Sequence, residues 1–170
     1  MKLIVLAQLP PPVHGQSLMV RTLVEGLPAH GIQVFHVNLG LSRDAADIGR
    51  WRCGKIFSLL VACFRVYRIR RKHGPIPLYY VPAPGKRGAL YRDWIAMLLA
   101  RPLNGSLVLH WHAVGLGHWL DTQANFLERA ITKLLLGRAA LSLVLAEELA
   151  SDPIDLDGLL AELGESPVLA

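Results

Sequence analysis

The 170-residue chain lacks the patterns that mark most metal, disulfide and membrane-spanning proteins. Its only cysteines, Cys53 and Cys63, form no C-x-x-C pair, which argues against a zinc cluster and favours free thiols in a reducing compartment. No histidine pair has H-E-x-x-H spacing, so we predict neither a metal site nor a cofactor. No apolar run approaches the roughly 18 residues that span a bilayer. The short N-terminal run, interrupted at Pro10, indicates a buried strand rather than a signal peptide.

Two common phosphate-binding fingerprints are also missing. The dinucleotide motif needs three glycines, and only Gly15 lies near the end of the first apolar run; no P-loop sequence occurs. With 52% hydrophobic and 18% charged residues, the chain can bury the core of one domain. The net charge of +5 permits an anionic partner such as a nucleotide, a membrane surface or nucleic acid, and does not choose among them.

Apolar runs alternate with helical patterns along the chain. This alternation predicts a single α/β domain of the Rossmann-like type, a doubly wound and mostly parallel sheet of about five strands, over residues 1–150. Residues 151–170 are predicted to form a tail with one short acidic helix at most. Strands are predicted at Lys2–Ala7, Ile32–Val37, Leu78–Val81, Leu107–Trp111 and Ala140–Leu145, and helices at Gln16–Ala29, Arg52–Lys72, Ala89–Ala100 and Thr122–Leu136.

The most informative stretch joins the first strand to the first helix and reads Pro-Pro-Pro-Val-His-Gly-Gln-Ser, residues 10–17. The prolines stiffen this loop, and Gly15 allows a ligand to approach the backbone closely. The helix N-terminus that follows carries unpaired N–H groups and a partial positive charge, which suit a phosphate. A tight connection with no ligand is the alternative that the spacing leaves open.

Polar residues also follow the third and fourth predicted strands. Alternation places His110 and His112 on one face of the fourth strand, with His112 nearer the carboxyl edge. His112 is a candidate for proton transfer or for a bond to phosphate or sugar, whereas His110 is predicted to be a hydrogen-bonded core histidine. Lys86, Arg87 and Arg92 are candidates for holding a sugar or phosphate, with a solvated loop as the alternative. Residues 113–119 are predicted to form a glycine-containing loop after the fourth strand, and Asp121 is predicted to cap the helix that follows this loop.

The second predicted helix, Arg52–Lys72, is strongly basic towards its end. A solvated face explains this charge, and a surface for anionic lipid headgroups is the alternative. Phe64 and Tyr67 are predicted to be core positions of this helix. Because no recognition motif accompanies the charge, nucleic acid is not a predicted partner.

Several of these segments together resemble the N-terminal, acceptor-side domain of GT-B glycosyltransferases of the retaining family-four type. The resemblance covers roughly residues 1–150. The segments that carry it are Leu9-Pro-Pro-Pro-Val-His-Gly-Gln-Ser, Leu27-Pro-Ala-His-Gly-Ile-Gln-Val, Leu109-His-Trp-His-Ala and Leu127-Glu-Arg-Ala-Ile-Thr-Lys-Leu-Leu-Leu-Gly-Arg-Ala.

The resemblance implies half of a GT-B fold and transfer of a hexosyl group from a nucleotide diphosphate sugar to a polysaccharide or lipid-linked acceptor. It implies that Gly15, with Gln16 and Ser17 beside it, approaches the donor phosphates, and that His112 lies near the reacting sugar. It also implies a separate donor-binding C-terminal domain as partner, so the chain alone is expected to be inactive. A cytoplasmic location, peripheral on the inner face of the plasma membrane, is expected.

Departures from the family pattern keep other functions open. Gln16 stands where a second glycine often follows the first, and Ala146 stands where a serine often follows the fifth strand. The alternatives are a non-catalytic Rossmann-like module for a small anionic ligand, and a basic peripheral membrane or adaptor protein.

Overall fold

A computed structural model describes residues 1–39, 53–101, 106–112, 115–137 and 139–144. Within these ranges the chain alternates between strands and helices. The strands are β1 (Lys2–Ala7), β2 (Gln33–Asn38), β3 (Leu78–Tyr80), β4 (Leu107–Trp111) and β5 (Leu141–Val144), and the helices are α1 (Gly15–Gly26), α2 (Cys53–His73), α3 (Arg87–Ala100), α4 (Leu116–Thr122) and α5 (Phe126–Leu136). The predicted tail, residues 151–170, lies outside the described residues.

The five strands form one sheet in the order β2-β1-β3-β4-β5, and every pair is parallel. The predicted α/β class and the Rossmann-like parallel sheet are therefore confirmed. From β1 the chain crosses to β2 on one side and then returns to β3 on the other. The carboxyl ends of β1 and β3 thus flank the point where the strand order reverses, which is where open α/β sheets bind ligands.

Both faces of the sheet are covered, which explains why its central strands are continuously apolar. Leu3, Val5 and Ala7 of β1 pack with Val20 of α1 on one face. Ile4 and Leu6 face the opposite side, where α2, α3 and α5 supply the larger core. The core residues of that side include Leu59, Cys63, Val66, Leu90, Met97, Leu135 and Leu136. Cys63 is a buried free thiol, and burial raises its pKa to about 11.

The predicted helix Thr122–Leu136 is wrong in its boundaries, because two helices occupy this region. α4 begins at Leu116, directly after Gly115, whose φ of 96° is left-handed and suits glycine. Asp121 lies inside α4 and does not cap the next helix. The cap of α5 is Asn125, which accepts a hydrogen bond from the Glu128 N–H at 2.8 Å while its own N–H donates to Glu128 at 2.9 Å. This reciprocal capping box starts a new helix.

The prediction that Phe64 and Tyr67 are core residues is also wrong. Their exposed fractions are 59% and 51%, and both lie on the outer side of α2. The helix buries a narrow stripe instead, consisting of Leu59, Ala62, Cys63 and Val66. The apolar content of α2 therefore exceeds what its contact with the sheet requires. Among the described helices, none is long and apolar enough to cross a bilayer.

Candidate anion-binding site

The loop between β1 and α1 is held by its own polar groups. Ser17 is fully buried, and its hydroxyl lies 2.9 Å from the carbonyl oxygens of both Pro12 and His14. The same hydroxyl accepts a hydrogen bond from the His14 N–H at 3.0 Å. The side chain of Ser17 is therefore occupied in fixing the turn.

His14 is the N-cap of α1, a role that the sequence pattern did not reveal. Its ring Nδ1 accepts a hydrogen bond from the Ser17 N–H at 3.3 Å. In the neutral ring the proton then sits on Nε2, which remains a donor. The first-turn N–H groups of Gly15 and Gln16 precede the intrahelical bonds of α1, so they too are available. The N-terminus of α1 thus offers several donors and a partial positive charge.

Gly15 is exposed at this N-terminus and has room around it. A Cβ atom added there would meet no atom within 4 Å, and its φ is not left-handed. The fold of the described residues therefore does not require glycine at this position. A requirement for glycine would have to come from something that approaches the backbone from outside.

On β4, His110 and His112 lie on one face, as predicted, with ring centroids 4.1 Å apart. His110 is buried, and its Nδ1 lies 2.5 Å from the hydroxyl of Tyr79 on β3. Burial, with a smaller effect of His112, lowers the pKa of His110 to about 4, so His110 is neutral at physiological pH. The prediction of a hydrogen-bonded core histidine is confirmed.

His112 is half-buried at the carboxyl end of β4, and its Nε2 is buried without a hydrogen-bond partner among the described residues. Burial lowers its pKa, and the charge of His14 lowers it further. His14 follows β1 and His112 follows β4, so both lie at the carboxyl edge of the parallel sheet, with β3 between their strands. The structure therefore places two of the loops that the sequence singled out at the same edge of the sheet.

Arg92 and Arg87, two of the predicted ligand-binding residues, are engaged within the protein. Arg92 forms an ion pair of 2.6 Å with Asp93, which is 1% exposed. Asp93 also accepts hydrogen bonds from the Tyr80 hydroxyl and the Ala83 N–H, each at 2.7 Å. Its carboxylate thus anchors the loop after β3, so Arg92 has a structural partner.

Arg87 lies at the start of α3 and donates to Glu128 at 3.0 Å and to the Gln123 carbonyl at 2.9 Å. It joins α3 to the turn between α4 and α5. Lys86, the third basic candidate, is exposed, and its side chain makes no polar contact within the described part of the chain. Of the three, Lys86 is the one whose charge remains for a ligand.

A close approach that the sequence analysis missed brings the β3–α3 loop against α4. A Cβ at Gly85 would lie 2.5 Å from the Cβ of Trp119 and 2.7 Å from the Gly115 carbonyl oxygen. Any side chain here would force two loops of the carboxyl edge apart. The proline and glycine residues of the β3–α3 loop indicated a tight loop, but they did not identify α4 as the element that packs against it.

Comparison of the chain with protein-family models, with curated proteins and with solved structures gives no match. The function must therefore be argued from the geometry. Among the described residues, no group of three or more histidine, cysteine, aspartate or glutamate side chains is arranged to hold a metal ion. What remains at the carboxyl edge is a set of donors and imidazoles beside a helix N-terminus, which can bind an anionic group.

Proposed function

We propose that this domain is the acceptor-side half of a nucleotide-sugar-dependent glycosyltransferase, and that the α1 N-terminus contacts the donor phosphates. The observation that carries the proposal is the conjunction of the His14 cap, an exposed Gly15 beside the reversal point of the sheet, and a His112 Nε2 at the same sheet edge that has no hydrogen-bond partner among the described residues. Backbone N–H groups and a helix dipole suit the charge of a pyrophosphate. In this proposal His112, at the carboxyl end of β4, reaches the sugar that is transferred.

In this proposal each candidate residue has a distinct task. Gly15 and Gln16 present backbone N–H groups, and Ser17 shapes the turn through its buried hydroxyl. Lys86 supplies a positive charge from the next loop. His112 donates to or accepts from the reacting sugar. The acceptor is a polysaccharide or a lipid-linked sugar, and a donor-binding domain provides the opposite wall.

Binding of a nucleotide diphosphate sugar to Gly15 variants tests this proposal. Gly15→Ala adds a Cβ atom into open space, so the fold should be unaffected. Ligand binding should also be unaffected, unless the bound ligand touches this Cβ atom. Gly15→Val should keep the melting temperature of the parent and weaken binding by about tenfold or more, because its branches occupy the phosphate position. Chemical-shift perturbation by NMR measures the binding of each variant, and thermal unfolding measures its melting temperature. Equal binding by the parent and Gly15→Val would contradict the site.

A non-catalytic module for a small anionic ligand is the runner-up, since the same donors would serve it. It predicts that the chain binds a free phosphosugar tightly with no contribution from a second domain. The glycosyltransferase proposal predicts weak binding by this domain alone, since transition-state contacts come from both walls of a closed cleft.

One surface favours a location at a membrane. The outer face of α2 is defined here by its exposed apolar residues Phe57, Leu60, Phe64 and Tyr67 and its exposed basic residues Arg65, Arg68, Arg71 and Lys72. No acidic residue occurs in α2. Aromatic and leucine side chains next to basic ones suit an anionic bilayer surface. On this ground we propose that the domain binds peripherally to an anionic membrane surface; the family resemblance adds that this surface is the cytoplasmic face of the plasma membrane.

A further inference from the structure

The outer face of α2 presents an apolar stripe among positive charges. Its apolar side chains recur every three or four residues and are between 44% and 68% exposed: Phe57, Leu60, Phe64 and Tyr67. The rings of Phe64 and Tyr67 lie 6.3 Å apart, and Arg71 donates to the Tyr67 hydroxyl at 3.3 Å. A stripe with this spacing is typical of a helix that pairs with another helix.

The acidic residues of the chain are concentrated after β5. Residues 145–170, which lie outside the described part of the chain, contain seven acidic residues and no basic one, whereas residues 1–144 contain all 18 basic residues and six acidic ones. The apolar residues of this acidic segment have the spacing of one helical face, namely Leu156, Leu159, Leu160 and Leu163. The acidic residues fall beside that face, at Asp155, Asp157 and Glu162. The sequence therefore predicts an acidic amphipathic helix, which complements the outer face of α2 in charge and in apolar spacing.

We propose that residues 152–165 dock on the outer face of α2 through these leucines and thereby compete with anionic lipid for the same face. The carboxylates of the segment then lie beside the basic side chains of α2, and its leucines cover the exposed aromatic rings. The docking does not require a membrane, whereas the competition rests on the proposed membrane surface.

Charge and distance both favour this occupant. A second copy of the same face is a poor partner, because α2 contains no acidic residue and like charges across an interface repel. α2 joins the end of β2 to the start of β3, so it begins at the carboxyl edge, where β5 also ends. β5 lies about 19 Å from β2 across the sheet. The nine residues 145–153 span up to about 30 Å when extended, which is enough to reach α2.

Paramagnetic relaxation enhancement in the full chain tests the docking. Ala161→Cys carries a nitroxide label on the side of the predicted helix away from its leucines, and Cys53→Ser leaves only Cys63, which is buried. The label should broaden backbone amide resonances of residues 57–71. It should not broaden that of Leu18, which lies on α1 at the opposite face of the sheet and serves as the internal control. Raising the salt concentration from about 0.1 M to about 1 M should reduce the broadening, because charge screening increases.

Leu159→Ser combined with Leu160→Ser removes the apolar contact without changing the net charge. This variant should lose the broadening and should bind anionic vesicles about threefold or more tightly than the parent, the factor expected when the segment covers the face about two thirds of the time. If these leucines instead inserted into the bilayer, their loss would weaken vesicle binding. Phe64→Ser should also lose the broadening, because it removes the apolar contact from the side of α2.

Asp155→Asn combined with Asp157→Asn tests the electrostatic part of the docking. The matched control combines Glu25→Gln with Asp121→Asn, which changes the net charge equally at exposed residues of α1 and α4. Anionic vesicles should bind the first pair of variants more tightly than the control pair. Equal binding by the two pairs would show that only the net charge matters and would overturn the docking.

The outcomes separate the inference from the proposed membrane surface. No broadening along α2, or broadening of α3 and α5 instead, would overturn the docking even if anionic vesicles bind the chain. Broadening seen only between labelled and unlabelled molecules would assign the contact to a second copy and overturn it as well. Broadening along α2 with unchanged vesicle binding in Leu159→Ser combined with Leu160→Ser would leave the docking standing and contradict the membrane role of this face.

Discussion

At the scale of single residues, buried carboxylates hold the carboxyl-edge loops in place. Asp93 fixes the loop after β3, and Glu128 joins α5 and its N-cap to α3. Glu128 accepts hydrogen bonds from the Tyr91 hydroxyl at 2.6 Å, from the Asn125 N–H at 2.9 Å and from Arg87 at 3.0 Å. Each of these carboxylates satisfies its oxygens within the protein, which a buried charge requires. The two arginines predicted to bind ligand serve this framework.

The Glu128 network predicts a pH-dependent stability. The Tyr91 hydroxyl foremost, then the Asn125 N–H and Arg87, lower the Glu128 pKa from 4.5 to about 2. A carboxylate favoured by the folded state stabilises it above its unfolded pKa, and this stabilisation is lost as the pH falls towards the folded pKa. Glu128→Gln should therefore be less stable than the parent near neutral pH, and the difference should vanish near pH 2. Urea unfolding of the parent and the variant at several pH values measures this difference in the free energy of unfolding.

A matched control is Glu25→Gln, which removes an exposed carboxylate paired with Arg21 across one helical turn. Exposed pairs of this kind contribute little, so this variant should follow the parent at every pH. A Glu128→Gln variant whose deficit is the same at neutral and at acid pH would show that packing, not ionisation, is responsible.

The sequence allowed His110 to be assigned correctly, because alternation within a strand fixes which face a residue occupies. It did not allow Asp93 or Arg92 to be assigned. The other partners of Asp93, Tyr80 and Ala83, are 10 to 13 residues away from it and meet it only once β3 and α3 are packed, and it is this burial of Asp93 that engages the adjacent Arg92. For His14 there was no sequence signal, because the known capping pattern has Ser or Thr at the cap and Glu or Gln three residues later, whereas here a histidine is followed by Ser17.

At the scale of elements, the outer face of α2 combines features that the sequence showed only in part. Its charge was visible in the sequence, but the exposure of Phe57 and Phe64 was not, because a run that is apolar on several sides does not reveal which stripe faces the sheet. Arg70 shows that the sequence also does not reveal which charged residues of α2 face outward. It turns inward and donates to the Ala100 carbonyl oxygen at 2.5 Å, so it does not belong to the outer face.

Vesicle binding tests this face of α2. The domain should sediment with vesicles of anionic phospholipid and not with neutral ones, and the binding should decrease with salt because screening shortens the range of charge. Each basic residue near such a surface contributes about 1 kcal/mol, so Arg65→Gln combined with Arg68→Gln should weaken binding by about tenfold or more. Phe64→Ser should also weaken it, through lost burial of an aromatic ring in the interface.

Leu98→Ser is the matched control for Phe64→Ser, since Leu98 is an apolar residue on another helix, α3, and is more exposed than Phe64, at 70% against 59%. It should leave vesicle binding unchanged. Binding that is equal on neutral and anionic vesicles, or indifferent to Phe64→Ser, would remove the case for this surface.

The elements themselves were largely predictable. β1 and β4 begin and end where their apolar patterns do, because parallel strands buried on both faces leave little freedom. The division between α4 and α5 was not predicted, because the Asn125 cap competes with a helical pattern that continues through it. Similarly, α1 ends at Gly26, and a 3-10 turn, Leu27–His30, follows where Pro28 enters. Caps and prolines override periodicity at such points.

At the scale of the whole molecule, the carboxyl edge carries apolar residues with nothing described above them. Val13 in the β1–α1 loop is 70% exposed, and Phe126 and Leu127 at the start of α5 are 80% and 66% exposed. Val13 adjoins the proposed phosphate site, and the start of α5 lies at the same carboxyl edge of the sheet. Exposed apolar groups around a polar site are typical of a surface that another domain or protein covers. This placement suits a cleft with a second wall.

The proposed cleft has one wall from this domain and one from a donor-binding domain, so activity should require both domains. The 170-residue chain alone should transfer no sugar, and it should become active when joined to a matching donor-binding domain. In that assembly His112→Ala should lower kcat by a factor of about 10² or more if the imidazole acts in the transition state. Gly15→Ala should cost much less than Gly15→Val, because only the larger side chain reaches the donor phosphates. Transfer by the isolated chain would refute the two-wall requirement, and unchanged kcat/KM in both His112→Ala and Gly15→Val would refute the site.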